Sequence, residues 1–535
     1  MNFILYCLQL ALSLYQPKQN DMKYPIGIQN FEKVRNDGYV YVDKTEIIYR
    51  LADTGSYYFL SRPRRFGKSL LISTMDAYFR GKRELFQGLA IEKLEQKWTK
   101  YPILHLDLNT AKYDSKDSLD KRLDITLSQW EQLYGALPAE TTPELRFEGI
   151  VRRACEKTGE RVVILVDEYD KPMLQAINDE ELTNEYRNTL KAFYSVLKTQ
   201  DGYIKFAFLT GVTKFGKVSV FSDLNNLMDI SMDERFIDVC GITEQELHTY
   251  FDEDVARLGE KYKLSKDDCY AKLKKQYDGY HFEANTIGLY NPFSILNVLA
   301  KQKFSDYWFE TGTPSYLVEL LQKADYELPD MTQSHITADV LNSIDSMSQN
   351  PIPVIYQSGY LTIKDYDERF NMYELGFPNK EVENGFMNYL LPYYTPVKKT
   401  ETAFFVASFV EDVEKGNPDE FMARMSAMFS KTDYQIVGNA ELYFQNAFYL
   451  IMTMMGFYTQ VERTTSEGRI DMTVETKDYI YIFEFKMDGT PEEALQQIEV
   501  KGYAKPFAMD NRKLYRVGVN FSSEKRCIAE WKIEG

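Results

Sequence analysis

Two clusters of residues have the types and spacing for phosphate chemistry. The first is Gly67-Lys68-Ser69, in the run Arg62-Pro-Arg-Arg-Phe-Gly-Lys-Ser-Leu70. A loop opening into a helix can cradle phosphate oxygens with its backbone N–H groups, while a lysine reaches the β- and γ-oxygens and a serine hydroxyl takes Mg²⁺. Further along, the apolar run Val162–Val166 ends in Asp167-Glu168. Asp167 can enter the metal shell, and Glu168 can orient and deprotonate an attacking water. The second cluster is Asp471 with Glu484-Phe-Lys486. Alternate strand residues share a face, so Glu484 and Lys486 point the same way, and Asp471 on the preceding strand can come alongside. Two converging carboxylates make a hard oxygen site for Mg²⁺ or Mn²⁺, and a nearby ammonium can position water. That is the chemistry of metal-assisted phosphodiester hydrolysis.

Each piece also has a plainer use. The general pattern GxxxxGK[ST] puts glycine where Arg62 stands, and Gly-Lys-Ser alone also suits a basic surface loop. An aspartate after a strand can simply cap a helix, and Glu-x-Lys on a hairpin can be a solvated pair. The joint order favours chemistry. Both phosphate motifs follow strands, and the next strand, Lys205–Thr213, ends in Thr210 and Thr213, where a residue reading the γ-phosphate would sit. For Arg62, Arg64 and Arg65, phosphate contact, contact with a neighbouring subunit and simple surface exposure all stay open. Around the second cluster, a helix bearing Glu441 precedes the hairpin, and the following helix carries Gln497 and Lys501 on one face. Ile480 and Ile482 share the face of Glu484 and Lys486, so the charges sit in a partly enclosed place where they need partners or a metal.

The elements that must position these groups follow from periodicity. Between Tyr57 and Phe221 short apolar strands (Tyr57–Leu60, Ile103–Leu108, Val162–Val166, Ile204–Leu209) alternate with amphipathic stretches, which predicts a parallel sheet flanked by helices. Ligands of such sheets bind beyond the strands' carboxyl ends. A mostly helical, aromatic middle region follows, with Tyr277-Asp-Gly-Tyr-His-Phe282 as a core turn or a coupling surface between sites, and it leaves room for small winged-helix-like pieces. From Gly438 the order is helix, three strands, helix, strand. The expected division is 1–21 extension, 22–242 phosphate-binding domain, 243–436 helical lid and 437–535 terminal domain.

Composition sets outer bounds. With 535 residues, 44% hydrophobic and 27% charged, the chain is long enough for several cores and ordinary enough to fold throughout. Its 5 cysteines and 4 histidines are scattered without a CxxC or HxxxH pair, which argues against zinc and for reduced thiols. A net charge of −17 argues against a surface coated for indiscriminate nucleic-acid binding, and any phosphate-contacting groove must be local. The apolar run Phe3–Tyr15 is too short to span a bilayer and lacks a preceding basic residue. Residues 1–21 therefore read as a mis-assigned or dispensable extension before Met22, with a membrane anchor as the alternative reading; the protein reads as cytoplasmic, and stable membrane association is not expected.

Residues 22 to about 230 resemble a bacterial and archaeal AAA-ATPase-like family. The likeness is carried by Pro25-Ile-Gly-Ile28, Tyr41-Val-Asp-Lys-Thr45, the loop Arg62–Ser69 and Val166-Asp-Glu-Tyr-Asp-Lys-Pro172. Arg62 departs from the general phosphate-loop pattern but is similar to this family's own loop. The C-terminal segment resembles the PD-(D/E)XK nuclease superfamily, in the branch fused to that ATPase family. It does so through Glu441, Gly468-Arg-Ile-Asp471, Glu484-Phe-Lys486 and Ala494–Ile498 followed by Tyr503. The resemblance implies an α/β fold: a P-loop NTPase parallel sheet with flanking helices, a mostly helical middle and a restriction-endonuclease-like α/β domain. It implies ATP with Mg²⁺ at Arg64, Arg65, Phe66, Gly67, Lys68, Ser69, Leu70, Asp167 and Thr210, with Glu168 catalytic. In the tail it implies Asp471 and Glu484 as metal ligands, Lys486 as the catalytic lysine, Gln497 as a supporting polar residue and Glu441 as a further ligand or orienter. The function implied is ATP hydrolysis joined to Mg²⁺-dependent cleavage of DNA or RNA. The alternative is a switch-like NTPase whose tail only binds nucleic acid or a protein partner. Oligomerisation is compatible with either.

Overall fold

The computed structural model describes residues 22–214, 224–309, 316–332, 335–341, 350–430, 440–456, 460–466, 469–525 and 527–535. Residues 1–21, and the expectation for them, lie outside the described residues. The described chain falls into two compact units. The first holds residues 22–212, 224–272 and 287–304, and the second holds 213–214, 273–286 and those from 305 onward.

The first unit is built on a parallel sheet. Its strands are β1 (Tyr57–Ser61), β2 (Ile103–Asp107), β3 (Val162–Asp167), β4 (Ile204–Gly211) and β5 (Met228–Asp229), in the order β2-β3-β4-β1-β5. All neighbours pair in parallel. Every residue of β1 and β3 is buried, the mark of strands covered on both faces, and the sequence supplies unbroken apolar runs rather than alternation. Helices return the chain between the parallel strands. Helix Pro143–Thr158 starts with proline at its first position and stops at Gly159, whose left-handed φ of 74° closes the last turn. Asp179 caps helix Glu180–Thr199 by accepting from Leu182 N. Thr243 and Glu246 form a reciprocal capping box at the start of helix Glu244–Tyr262.

The second unit carries two sheets. A small antiparallel sheet of β6 (His335–Thr337), β7 (Thr362–Asp367) and β8 (Met372–Gly376), in the order β6-β8-β7, sits among helices and accounts for the strand content of the mostly helical middle. The C-terminal sheet contains β9 (Gln460–Ser466), β10 (Arg469–Glu475), β11 (Tyr479–Met487), β12 (Lys513–Ser522) and β13 (Cys527–Glu534), in the order β13-β12-β11-β10-β9. Only β11 and β12 run parallel, and helix Pro491–Lys501 makes the crossover between them. The turn at Lys477-Asp478, between β10 and β11, is closed by Thr476 N donating to Tyr479 O at 2.9 Å.

The two faces of β11 do different jobs. On one, Tyr481 packs its hydroxyl onto Val413 O, Phe483 meets Phe421, and Phe485 meets Phe448 and Phe521. This face buries helices Thr402–Glu414, Pro418–Phe429 and Ala440–Met455. On the other face Ile482 packs with Leu495 and Ile498 of helix Pro491–Lys501, and the same side carries Glu484 and Lys486.

Candidate active sites

Helix Lys68–Phe79 follows β1 across the loop Arg62–Gly67, and its N-cap is Gly67 in a left-handed conformation, φ 96°. A side chain there would be strained, so glycine is required where the loop hands over to the helix. Lys68 is almost fully buried. Its Nζ donates to Arg62 O at 3.0 Å and Pro63 O at 3.2 Å, and lies 3.3 Å from Glu168 Oε1. The ammonium thus sits inside the loop, where phosphate oxygens would compete with two carbonyls and one carboxylate.

Strand order puts the acidic pair opposite. β4 lies between β1 and β3, so the loop after β1 and the carboxylates after β3 are about 10 Å apart across one intervening strand. That gap suits a bound phosphate, and here it is spanned by the Lys68 side chain. Thr210, at the carboxyl end of β4, donates from Oγ1 to Asp167 Oδ1 at 2.7 Å. Ser69 also hydrogen-bonds Asp167. Burial raises the Asp167 carboxyl above its ordinary value, and the Glu168 charge raises it further. The bonds from Ser69 and Thr210 and the charge of Lys68 pull in the opposite direction. Glu168 has a left-handed backbone, φ 55°, sparsely populated for a side chain of this size and found where the fold forces a residue into position.

Among the arginines, Arg62 has a structural place. It is 1% exposed, and its guanidinium donates to Ser61 O (2.9 Å), Ser231 O (2.8 Å) and Ile237 O (3.1 Å). It therefore ties the base of the loop to the chain beyond β5. Arg64 is half-buried, and Arg65 is exposed at the loop crest with φ 66°. Phe66 turns inward and is 1% exposed, so it anchors the loop, while Ser69 and Leu70 are half-buried on the first helical turn.

In the second unit, Glu484 is fully buried and Lys486 Nζ lies 3.2 Å from its Oε1. The same ammonium donates to Gln497 Oε1 on the covering helix. A buried carboxylate needs such a partner or a cation. The register Met472 opposite Phe483 brings the backbone of Asp471 abreast of Glu484. The side chains of Asp471 and Glu441, and Gly468 altogether, lie outside the described residues. Among the described residues no group of three or more His, Cys, Asp or Glu side chains could hold a metal. The first site offers carboxylate and hydroxyl oxygens and the second the Glu484 carboxylate, oxygen donors of the kind that suits Mg²⁺.

Residues 25–221 match a family described as predicted AAA-ATPase, and residues 439–531 match the PD-(D/E)XK nuclease superfamily. The uncharacterized protein in the vnfD 5′ region of Azotobacter chroococcum mcd 1 is 35% identical over 541 residues, covering 96% of this chain and 99% of that one. The chain belongs to the predicted AAA-ATPase family. It carries the PD-(D/E)XK segment as its C-terminal part. A solved structure, the Aeropyrum pernix ORC2 protein in its ADPNP-ADP complexes, is similar at 10% identity over 67% of this chain and 92% of that chain, with a TM-score of 0.23.

Other groups of this family member become visible only in three dimensions. Asp170 is fully buried and accepts Val212 N with both carboxylate oxygens, at 3.3 and 3.1 Å, locking the end of β4 beside the end of β3. Gly211 allows this, since a Cβ there would lie 2.6 Å from the Tyr169 ring and 2.7 Å from Asp170. The third carboxylate of Asp167-Glu-Tyr-Asp170 was the available signal. Asp43 accepts from Thr45 N, Thr45 Oγ1 and Ala90 N, and Lys44 pairs with Glu246 at 2.6 Å. The Tyr41–Thr45 motif is thereby a joint between the chain before the loop and helix Glu244–Tyr262. Among the described residues, no helix is long and apolar enough to cross a membrane.

Proposed function

We propose that the first unit binds and hydrolyses ATP and that the C-terminal site cleaves nucleic-acid phosphodiesters. The observation that carries the first half is the convergence of Lys68, Asp167, Glu168 and Thr210 at the carboxyl ends of three adjacent strands. Lys68 exchanges its carbonyl partners for β- and γ-phosphate oxygens. Glu168, released from Lys68, orients the attacking water and accepts its proton. Ser69 and Asp167 would hold Mg²⁺, which supplies neutralising charge to the phosphate oxygens. Thr210 keeps Asp167 in place. The ATPase half is tested by phosphate release: Lys68→Ala should lose nucleotide binding, whereas Glu168→Gln should keep binding and lose turnover by about 10²-fold or more. Normal turnover in Glu168→Gln would remove the carboxylate from the mechanism.

The second half rests on the buried Glu484 bound to Lys486, with Gln497 closing the other side. Glu484 and Asp471 would hold Mg²⁺ there, and Lys486 would position the nucleophilic water and stabilise charge on the phosphate. Gln497 fixes the direction of the Lys486 ammonium. Cleavage of a panel of single- and double-stranded DNA and RNA, with and without ATP, tests this half. Metal-dependent cutting abolished in Glu484→Ala is the expected result. Cutting that survives in Glu484→Ala would remove this site from cleavage, and binding of labelled nucleic acid with no substrate cut would make the tail a binding module.

A further inference from the structure

The motif Tyr290-Asn-Pro-Phe293 is not used by the proposed chemistry, yet it lies against the crest of the phosphate loop. Tyr290 and Ile242 exchange backbone hydrogen bonds at 2.8 and 3.2 Å. Next to this bridge, Gly241 has φ 94°, and a Cβ there would come within 3.1 Å of Phe66 and 3.3 Å of Leu289. Asn291 is fully buried and accepts from Phe293 N (2.9 Å) and Ser294 N (3.3 Å), fixing the start of helix Pro292–Lys301. The Phe293 ring is thus held by a capped helix start beside a backbone bridge. The Arg65 guanidinium carbon stands 5.0 Å from its centroid.

Arg65 itself is costly where it is. A left-handed backbone is unfavourable for arginine, and the side chain is exposed. A residue kept in such a conformation two positions before Gly67, with its charge resting on an aromatic face, is oriented rather than loose.

We propose that Phe293 is a positioning residue for nucleotide recognition: its ring holds Arg65 over the phosphate loop so that the guanidinium meets the polyphosphate chain of the nucleotide in the same molecule. This inference rests on nucleotide binding at the loop and adds a contact supplied from beyond the parallel sheet. Preorganising a flexible arginine removes part of the ordering cost of binding, so the benefit should scale with the phosphate charge it meets.

The test is equilibrium titration of ATP, ADP and AMP into the full-length chain carrying Arg65→Ala, Phe293→Leu, Phe293→Tyr or the Arg65→Ala/Phe293→Leu pair. Arg65→Ala should weaken ATP about tenfold, Phe293→Leu about two- to fivefold, and Phe293→Tyr little, because it keeps the aromatic face. AMP should be nearly unaffected. The double variant should bind no worse than Arg65→Ala alone, since the ring acts only through the arginine. Multiplying effects in the double variant, or an equal loss for AMP and ATP in Phe293→Leu, would overturn the proposal. If Phe293→Leu does not fold, Phe293→Met is read the same way. Lys68→Ala separates the two ideas. Unchanged ATP binding in that variant refutes nucleotide binding at the loop altogether, whereas lost binding there with additive Arg65 and Phe293 effects refutes only the positioning role.

Discussion

Changing Arg62 to glycine restores the residue that the general phosphate-loop pattern places at this position, and the structure says the change is damaging. The Arg62 guanidinium is buried and donates to the carbonyls of Ser61, Ser231 and Ile237. Hydrogen bonds to a charged group contribute about 1.5–3 kcal/mol each, and carbonyls left buried without a donor add to the loss. Against this stands the relief of no longer burying a cation, several kcal/mol in the opposite direction. Glycine brings a further cost of roughly 0.5–1 kcal/mol in backbone entropy. The balance is a destabilisation of about 3–5 kcal/mol. For a domain of this size each kcal/mol moves Tm by about 2–4 °C, so a fall on the order of 10 °C is expected. Thermal unfolding of Arg62→Gly and Arg62→Met, paired with ATP titration, is the measurement. Methionine keeps much of the stem volume without the donors, so it should recover little. An Arg62→Gly protein that unfolds at or above the wild-type temperature, with equal or tighter ATP binding, would refute the reasoning.

Three further outcomes are expected. A Cβ at Gly518 would lie 2.3 Å from Pro491 O. Gly518→Ala should therefore lift the helix that carries Gln497, lowering stability by about 1–3 kcal/mol or more and impairing cleavage, as read by thermal unfolding and nuclease assay. Cys240 is buried, and burial pushes its thiol from 9.0 up to about 11. The native chain keeps this proton after the unfolded chain has lost it, so its stability contribution is intact below pH 9 and declines as pH rises through about 11, by roughly 2–3 kcal/mol in all. Urea unfolding across that range should show the slope in wild type and a smaller one in Cys240→Ala. Asp170→Asn removes a carboxylate that takes Val212 N with both oxygens. It should lower ATP turnover more than ATP binding, because the end of β4 presents Thr210 to Asp167, and an unchanged rate would assign Asp170 to folding alone.

The parts of the fold written into local pattern were legible in the sequence. Val162–Asp167 is an apolar run closed by acid, and Tyr57–Ser61 is a run closed by an arginine-rich loop. Their strands end within a residue or so of the expected places because burial on both faces leaves the run no freedom. Glu484 and Lys486 share a face because the strand period demands it. What escaped the pattern depends on partners far away in the chain. The arginine-rich loop read as basic and left Arg62 open. Its burial follows from carbonyls at Ser231 and Ile237, which no local window contains. The strand Cys527–Glu534 mixes charged and apolar residues on an edge, so its sequence carries no clear strand pattern. Helices Thr402–Glu414 and Pro418–Phe429 carry no chemical motif, and their attachment to the C-terminal sheet depends on aromatic contacts such as Phe421 with Phe483.

Strand β11 joins adhesion and the proposed chemistry within one short stretch, with Tyr481, Phe483 and Phe485 turned to the helices and Ile482, Glu484 and Lys486 turned to the crossover helix. Tolerance to substitution along it should then beat with a period of two. Errors at odd positions should show as loss of soluble protein, and errors at Glu484 and Lys486 as soluble but inert protein. A single inserted or deleted residue would exchange the two roles at every position beyond it, which makes this strand among the least forgiving places for a change in chain length.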